Sequence, residues 1–300
     1  MTLSIDEVLE RYWDDIEPLR NPVMLVALRG LFDIGGVATS ALDWMLKERD
    51  FTVVADIDPD PFFDFTQERP EAYLDEDGER HLRWPENEFV VIRYPEGARD
   101  MVVLNGVEPH VAWGTFTKSI VDVAQGLGCT LVISLGAAAE QVPHTRVPFV
   151  VGSTTNDDLA ARLGLSRPQY QGPTGVAGVL LDELDRAGLT SVSLRVGVPH
   201  YLMHAQHPKS AAALLQHLQH VLGIPTDHAN LQSEISRWQE LHDAAVNSDA
   251  QASAYVEMLE RRHDQITERT MPTGDDLAAE LEEFLRNQEN GPDTPGDDSH

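Results

Sequence analysis

The chain has 300 residues, 42 % of them hydrophobic, with 50 acidic against 22 basic side chains and a formal charge of −28. Such a length and hydrophobic content allow a full core in one large domain or two smaller ones. The charge repels phosphate backbones and anionic bilayers, which argues against nucleic-acid and membrane partners.

The acidic stretch 1–20 reads as helix-like, without the basic and apolar regions of a secretory leader. No run reaches the roughly eighteen apolar residues of a membrane span, so a cytoplasmic protein is expected. Strand-type runs then alternate with helical patterns: strand 24–28, helix 36–48, strands 52–57, 89–93 and 101–105, helix 113–126. The alternation continues with strands 130–135 and 148–153, helix 175–187, strand 191–198 and helix 209–222. Runs that are apolar nearly throughout suit a sheet buried on both faces, so the core is an α/β layer structure. Between the second and third strands lies a Pro-rich, acidic and aromatic excursion. It has a hairpin turn at Gly78, and its aromatics pack on the main sheet or on a neighbouring subunit.

After Gly223-Ile224-Pro225 only helical patterns remain. Leu231, Ile235, Trp238 and Leu241 define one helix and Tyr255, Leu259 and Arg262 a second, beyond a break at Asn247-Ser248-Asp249. This hairpin packs on the sheet or on itself, or offers a surface to a partner. From Met271 the chain becomes acidic and rich in Pro and Gly, a composition that predicts disorder. Within it, Leu277, Leu281, Phe284 and Leu285 share one helical face and form a candidate partner-docking element. The domain boundaries expected are 1–225 for the α/β body, 226–270 for the helical hairpin and 271–300 for the tail.

Chemistry-bearing residues gather where strands end. Asp33, among Gly30, Gly35 and Gly36, either caps the following helix or helps cradle an anion. The glycine spacing fits neither a dinucleotide fingerprint nor a Walker loop, so no cofactor is expected. Glu108 before Pro109 reads as a loop anchor, with pairing to Arg146 as the other reading. In Tyr170-Gln171-Gly172-Pro173-Thr174-Gly175, Thr174 is placed as a helix cap, and the backbone N–H groups near Gly172 and Gly175 are able to hold a carboxylate or phosphate. His144 and His200 both follow proline, with Arg146 and Tyr201 beside them. They serve either as structural histidines or as proton-moving and anion-gripping groups of a pocket. His200 and His204 stand in a His-x-x-x-His spacing, but no carboxylate at fixed helical spacing accompanies them and no metal site is expected; no Gly-x-Ser-x-Gly elbow supports a hydrolase, and Cys129 reads as a buried small hydrophobe.

Taken in order, Gly30 to Ala38, Asp64-Phe65, Arg69-Pro70, Trp84-Pro85, Gly106 to Pro109, Pro143 to Arg146, Tyr170 to Gly175 and Pro199-His200-Tyr201 with Pro208-Lys209 resemble the proteasome assembly chaperone 2 family, in its actinobacterial branch. The resemblance implies a single α/β domain, a mixed sheet flanked by helices similar to the nucleoside phosphorylase fold, in a homo-oligomer. It also implies a protein partner among proteasome subunits, reached in some relatives through a C-terminal hydrophobic-Tyr-any residue tail. This chain ends Asp298-Ser299-His300, which leaves 277–286 as the docking element. The function expected is a non-catalytic assembly chaperone or scaffold. The alternative is a small-ligand binder or enzyme acting on an anionic or nucleoside-like substrate at a strand-end pocket.

Overall fold

Seven residues, Val23–Arg29, set the pattern of the sheet: Val23, Leu25 and Ala27 face one core, Met24 and Val26 the other, and all five are buried. A strand hidden on both faces needs helices on both sides. The computed structural model, which describes residues 3–47, 49–95 and 97–270, places them there. The tail candidates Leu277, Leu281, Phe284 and Leu285 lie outside the described residues.

In chain order the elements are β1 (Leu9–Arg11), β2 (Val23–Arg29), α1 (Val37–Leu46), β3 (Phe51–Ile57), β4 (Glu71–Leu74), β5 (Arg80–Arg83), β6 (Glu88–Ile92) and β7 (Met101–Val107). They continue as α2 (Trp113–Gly126), β8 (Leu131–Glu140), β9 (Val150–Ser153), α3 (Asp157–Leu163), α4 (Val176–Arg186), β10 (Ser191–Pro199), α5 (Pro208–Leu222), α6 (Gln232–Asn247) and α7 (Ala250–Thr270). Eight strands form one sheet in the order β1-β3-β6-β7-β2-β8-β10-β9. β2 runs parallel to β7 and β8, and β8 parallel to β10, while β1, β6 and β9 pair antiparallel, so the sheet is mixed.

Helices α1 and α5 cover one face, where Leu42, Met45, Leu214, Leu215 and Leu218 are buried against Leu25, Val103 and Val196. Helices α2 and α4 cover the other, where Phe116, Ile120, Leu180 and Leu184 meet Met24, Leu104 and Val132. Each fully buried Leu contributes roughly 1.5–3 kcal/mol over an exposed one. The boundaries of α5 follow from its sequence. Pro208 stands at its start with His207 Nδ1 accepting the Ser210 N–H (3.2 Å), and Gly223 ends it at φ 66°.

Two expectations change. Among the described residues 3–20 the structure holds a short 3₁₀ turn (Ile5–Glu7) and then the edge strand β1, whose Leu9 lies opposite Ile57, and no α-helix. Burial of Val8 and Leu9 against an open strand edge outweighs the local helical preference. The aromatic excursion divides in two: Phe62 and Phe63 are buried, Phe62 edge-on to Phe116 at 5.4 Å, whereas the β4–β5 hairpin leaves Tyr73, Leu74, Leu82 and nearby Trp84 exposed. Its turn does use Gly78, at φ 80°. Among the described residues no helix is long and apolar enough to cross a membrane.

Candidate functional site

The parallel strands β2, β7, β8 and β10 all finish at one sheet edge, at Arg29, Val107, Glu140 and Pro199. Chain connections leave β2 and β7 toward opposite sides of the sheet, and such a switch point is where open α/β sheets hold ligands. On the side of Phe32 and Glu108 this crevice is filled by the chain itself. Asp33 Oδ1 accepts the Ala38 N–H (2.6 Å) and Oδ2 accepts the Thr39 hydroxyl, so this carboxylate, only 5 % exposed, caps α1. Its pKa is raised because burial outweighs those bonds. Glu108 Oε2 accepts the Leu31 N–H (2.6 Å) and lies where a Gly30 side chain would have to go. The Phe32 ring occupies the space that a side chain at Gly175 would need. The cavity left beneath them, between Phe32, Glu108, Ser134 and Val176, is about 20 Å³. That is room for about one water.

A second group forms at the ends of β8 and β10, where helices α6 and α7 lie across the loops. His144 is 1 % exposed. Tyr201 Oη accepts the His144 backbone N–H (2.9 Å), so its own proton points to His144 Nδ1 (2.8 Å), and His144 Nε2–H donates to Asp243 Oδ1 (3.0 Å). Burial lowers the His144 pKa against the opposing pull of Asp243, which keeps the ring neutral. Burial also pushes the Tyr201 phenol up to about 12. The buried Lys209 ammonium donates to His144 O (2.7 Å) and to Gln239 Oε1 (2.8 Å) on α6, and burial lowers its pKa.

Arg146 is spent on α7. Its Nε and Nη2 form a bidentate pair with Asp264 (2.8 and 3.0 Å), and Nη1 reaches Glu260 Oε1 (3.1 Å). The Asp264 bond is the main cause of the raised Arg146 pKa. His200 Nδ1–H donates to Glu140 O (3.2 Å) and Nε2 accepts from the Tyr255 hydroxyl (3.1 Å). His263 on α7 stacks on Phe149 at 4.4 Å and reaches Val147 O (3.1 Å).

The structure thus brings His144, Arg146, His200 and Tyr201 together but leaves the other candidates apart. Tyr170 is 75 % exposed and its hydroxyl donates to the neighbouring Pro173 O (2.9 Å). Thr174 does not cap α4. Gly175 occupies the cap position, and the Thr174 hydroxyl packs over Gly178 instead. Gly172 takes φ 152°, in line with its expected freedom. Sequence reasoning missed Asp243, Glu260 and Asp264, the partners that decide what His144 and Arg146 do. Their one signal is the four-residue spacing of Glu260 and Asp264 on a helix face.

Further hollows open elsewhere among the described residues, one of about 340 Å³ beside Gln141, Phe149 and His263. A polar one of about 420 Å³, with Arg29, Arg69, Glu71 and Asn105 in its walls, borders the ends of β2 and β7. A larger one, about 730 Å³, is a groove between α1 and α6, with Trp44, Leu46, Phe51, Leu231, Trp238 and Leu241 among its lining residues. For metals, the described residues gather Asp75, Glu79 and His81 at the β4–β5 turn. All three are exposed, and Asp75 already accepts the Asp77 and Glu79 N–H groups and bonds His81.

Buried polar bonds tie the strand edge to its covering helices, Phe32 and Glu108 fill one side of the switch-point crevice, and a polar hollow of about 420 Å³ stays open beside the ends of β2 and β7. Residues 27–246 match the PAC2 family, and the chain belongs to it. A PAC2 family protein of Streptomyces avermitilis is 33 % identical, with a TM-score of 0.73 over 78 % of this chain and 99 % of its own. A proteasome-assembly chaperone homologue of Mycobacterium tuberculosis is 31 % identical, with a TM-score of 0.71 over the same shares. An uncharacterized protein of Methanocaldococcus jannaschii is 27 % identical over 216 residues, covering 70 % of this chain and 77 % of its own.

Proposed function

We propose that this protein is a non-catalytic assembly chaperone or scaffold of the cytoplasm whose partner is another protein, in the first instance a proteasome core subunit. One observation carries the reading: the polar groups at the strand ends are bonded to α6 and α7, while the large open hollow is an apolar groove between helices. A neutral, enclosed His144 and a water-sized crevice over β2 offer little to a substrate. A groove walled by Trp44, Phe51, Trp238 and Leu241 fits an apolar peptide face. The likeness to a proteasome-assembly chaperone homologue supports the same reading. The exposed Tyr73, Leu74, Leu82 and Trp84 of the β4–β5 arm support association of copies into a homo-oligomer.

The test is co-expression of the full-length chain with proteasome α subunits from the same organism, followed by affinity capture. Capture that is lost with Leu241→Asp and Phe51→Asp, two exposed positions whose change leaves the core intact, is the result expected. No complex with the unaltered chain, or capture indifferent to both substitutions, overturns it.

A further inference from the structure

We propose that the α1–α6 groove is the docking site of this chain's own segment 277–285. The inference concerns the groove through which the proposed partner would bind, but it holds whether or not that partner is a proteasome subunit.

Four observations meet there. Phe51 and Leu241, 51 % and 67 % exposed, stand at an apolar groove of about 730 Å³ together with Trp44, Leu46, Leu231 and Trp238. Exposed apolar side chains concentrated in one concavity mark an interaction surface rather than scattered solvent exposure. Lys47 and Arg237 line the same groove and form no ion pair among the described residues; Lys47 only leans on Trp44, 5.7 Å from its ring. They balance Asp43 and Glu234 on the walls, so the groove is neutral on a molecule of charge −28. Trp238 Nε1 and His207 Nε2, in rings that also line it, are buried without an acceptor. His207 Nδ1 accepts the Ser210 N–H, so Nε2 carries the proton and is a donor.

The occupant follows from sequence and reach. In Asp275 to Arg286 the apolar Leu277, Leu281, Phe284 and Leu285 share one helical face, and the intervening Glu280, Glu282 and Glu283 supply negative charge for Arg237 and Lys47 at the groove walls. A two-residue link sends α7 back along α6, and α7 has 21 residues against 16, about 31 Å against about 24 Å. The last turns of α7 lie on the 141–149 loop, where His263 reaches Val147 O (3.1 Å) and Ile266 lines a hollow with Gln141, Val142 and Phe149. The seven residues from Thr270 to Leu277 span up to about 24 Å more. A tether this short holds the segment at an effective concentration on the order of millimolar, so even weak contacts keep it seated. The apolar face and the apolar groove then shelter each other until a partner takes one of them.

The test places the photo-crosslinking residue p-benzoyl-phenylalanine at position 284 of the full-length chain and maps adducts by mass spectrometry after irradiation. Intramolecular adducts within 40–51 and 231–241 are expected. Leu281→Asp in the same chain, which removes one buried apolar anchor, lowers their yield by about tenfold or more. Adducts elsewhere, adducts joining two chains, or a yield unmoved by Leu281→Asp overturn the proposal. Groove adducts without α-subunit capture leave this inference standing and remove the chaperone reading. Capture sensitive to Leu241→Asp without groove adducts does the reverse.

Discussion

His207 makes the fold sensitive to acid in a way that a single substitution exposes. The ring is 3 % exposed, and burial, reinforced by the nearby Lys209 charge, pulls its pKa from 6.5 to about 3. The folded state thus holds the ring neutral while the unfolded chain binds a proton below about pH 6.5, so stability is complete above that value and falls as pH drops toward about 3. Between about pH 7.5 and about pH 5, linkage between those two pKa values removes about 2 kcal/mol. His207→Asn keeps a side-chain acceptor for the Ser210 N–H at the start of α5 but does not titrate. Urea unfolding of both proteins at both pH values isolates the effect, because the other titrating groups are common to the pair. The variant's loss of stability on acidification should be smaller by about 2 kcal/mol. Equal losses in the two proteins would refute the reasoning and place His207 in contact with solvent or with an unseen acceptor.

Three further outcomes follow from single sites. Asp56 lies between Glu10 and Glu88 across β1, β3 and β6, and burial plus these neighbours raises it to about 6, so its charge opposes folding increasingly as pH climbs from 3.8 through about 6. Asp56→Asn should therefore add about 1 kcal/mol near pH 7.5, after allowance for solvent screening, and nothing below about pH 4; a loss at neutral pH contradicts this. Gly30→Ala drives a methyl group into Glu108 Oε2 and Cβ and should cost about 2 kcal/mol, while the double change with Glu108→Gly, which removes both atoms, should be little worse than Glu108→Gly alone, a non-additivity that a denaturation cycle measures. Cys129, 5 % exposed with its thiol pushed up to about 12 by burial, should react with an aromatic disulfide reagent only as fast as the protein unfolds; immediate labelling of the native chain contradicts its placement.

The elements legible in the sequence are those whose pattern is itself the cause of the structure. β2 and β7 read as buried strands because nearly every residue is apolar, and α2 keeps its expected bounds because its buried residues recur at helical spacing. β1 was illegible because three residues carry no period, and only the open edge of β3 makes Leu9–Arg11 a strand. Helix α3 had caps on view, Asn156 accepting the Leu159 N–H (3.0 Å) and Gly164 ending it at φ 64°, but seven residues are too few to establish a hydrophobic stripe.

The same logic separates the two halves of the candidate site. A histidine after proline at a strand end is conspicuous, yet its chemistry is decided by a carboxylate 99 positions later, on a helix whose sequence shows many acids and not which of them turns inward. Had Asp243 and Asp264 faced solvent, His144 and Arg146 would stand unpaired at the mouth of a cleft and the ligand reading would have the better geometry. Because they face the loops, removing α6 and α7 would uncover a cationic, imidazole-bearing rim, and the hairpin acts as a cover secured by polar bonds. The apolar groove arises from that closure: Trp238 sits in α6 between the enclosed His144 ring, 6.1 Å away, and the hollow shared with α1. A surface that exists only when α6 is seated couples partner binding to the integrity of the His144–Asp243 bond, although neither residue lines the groove.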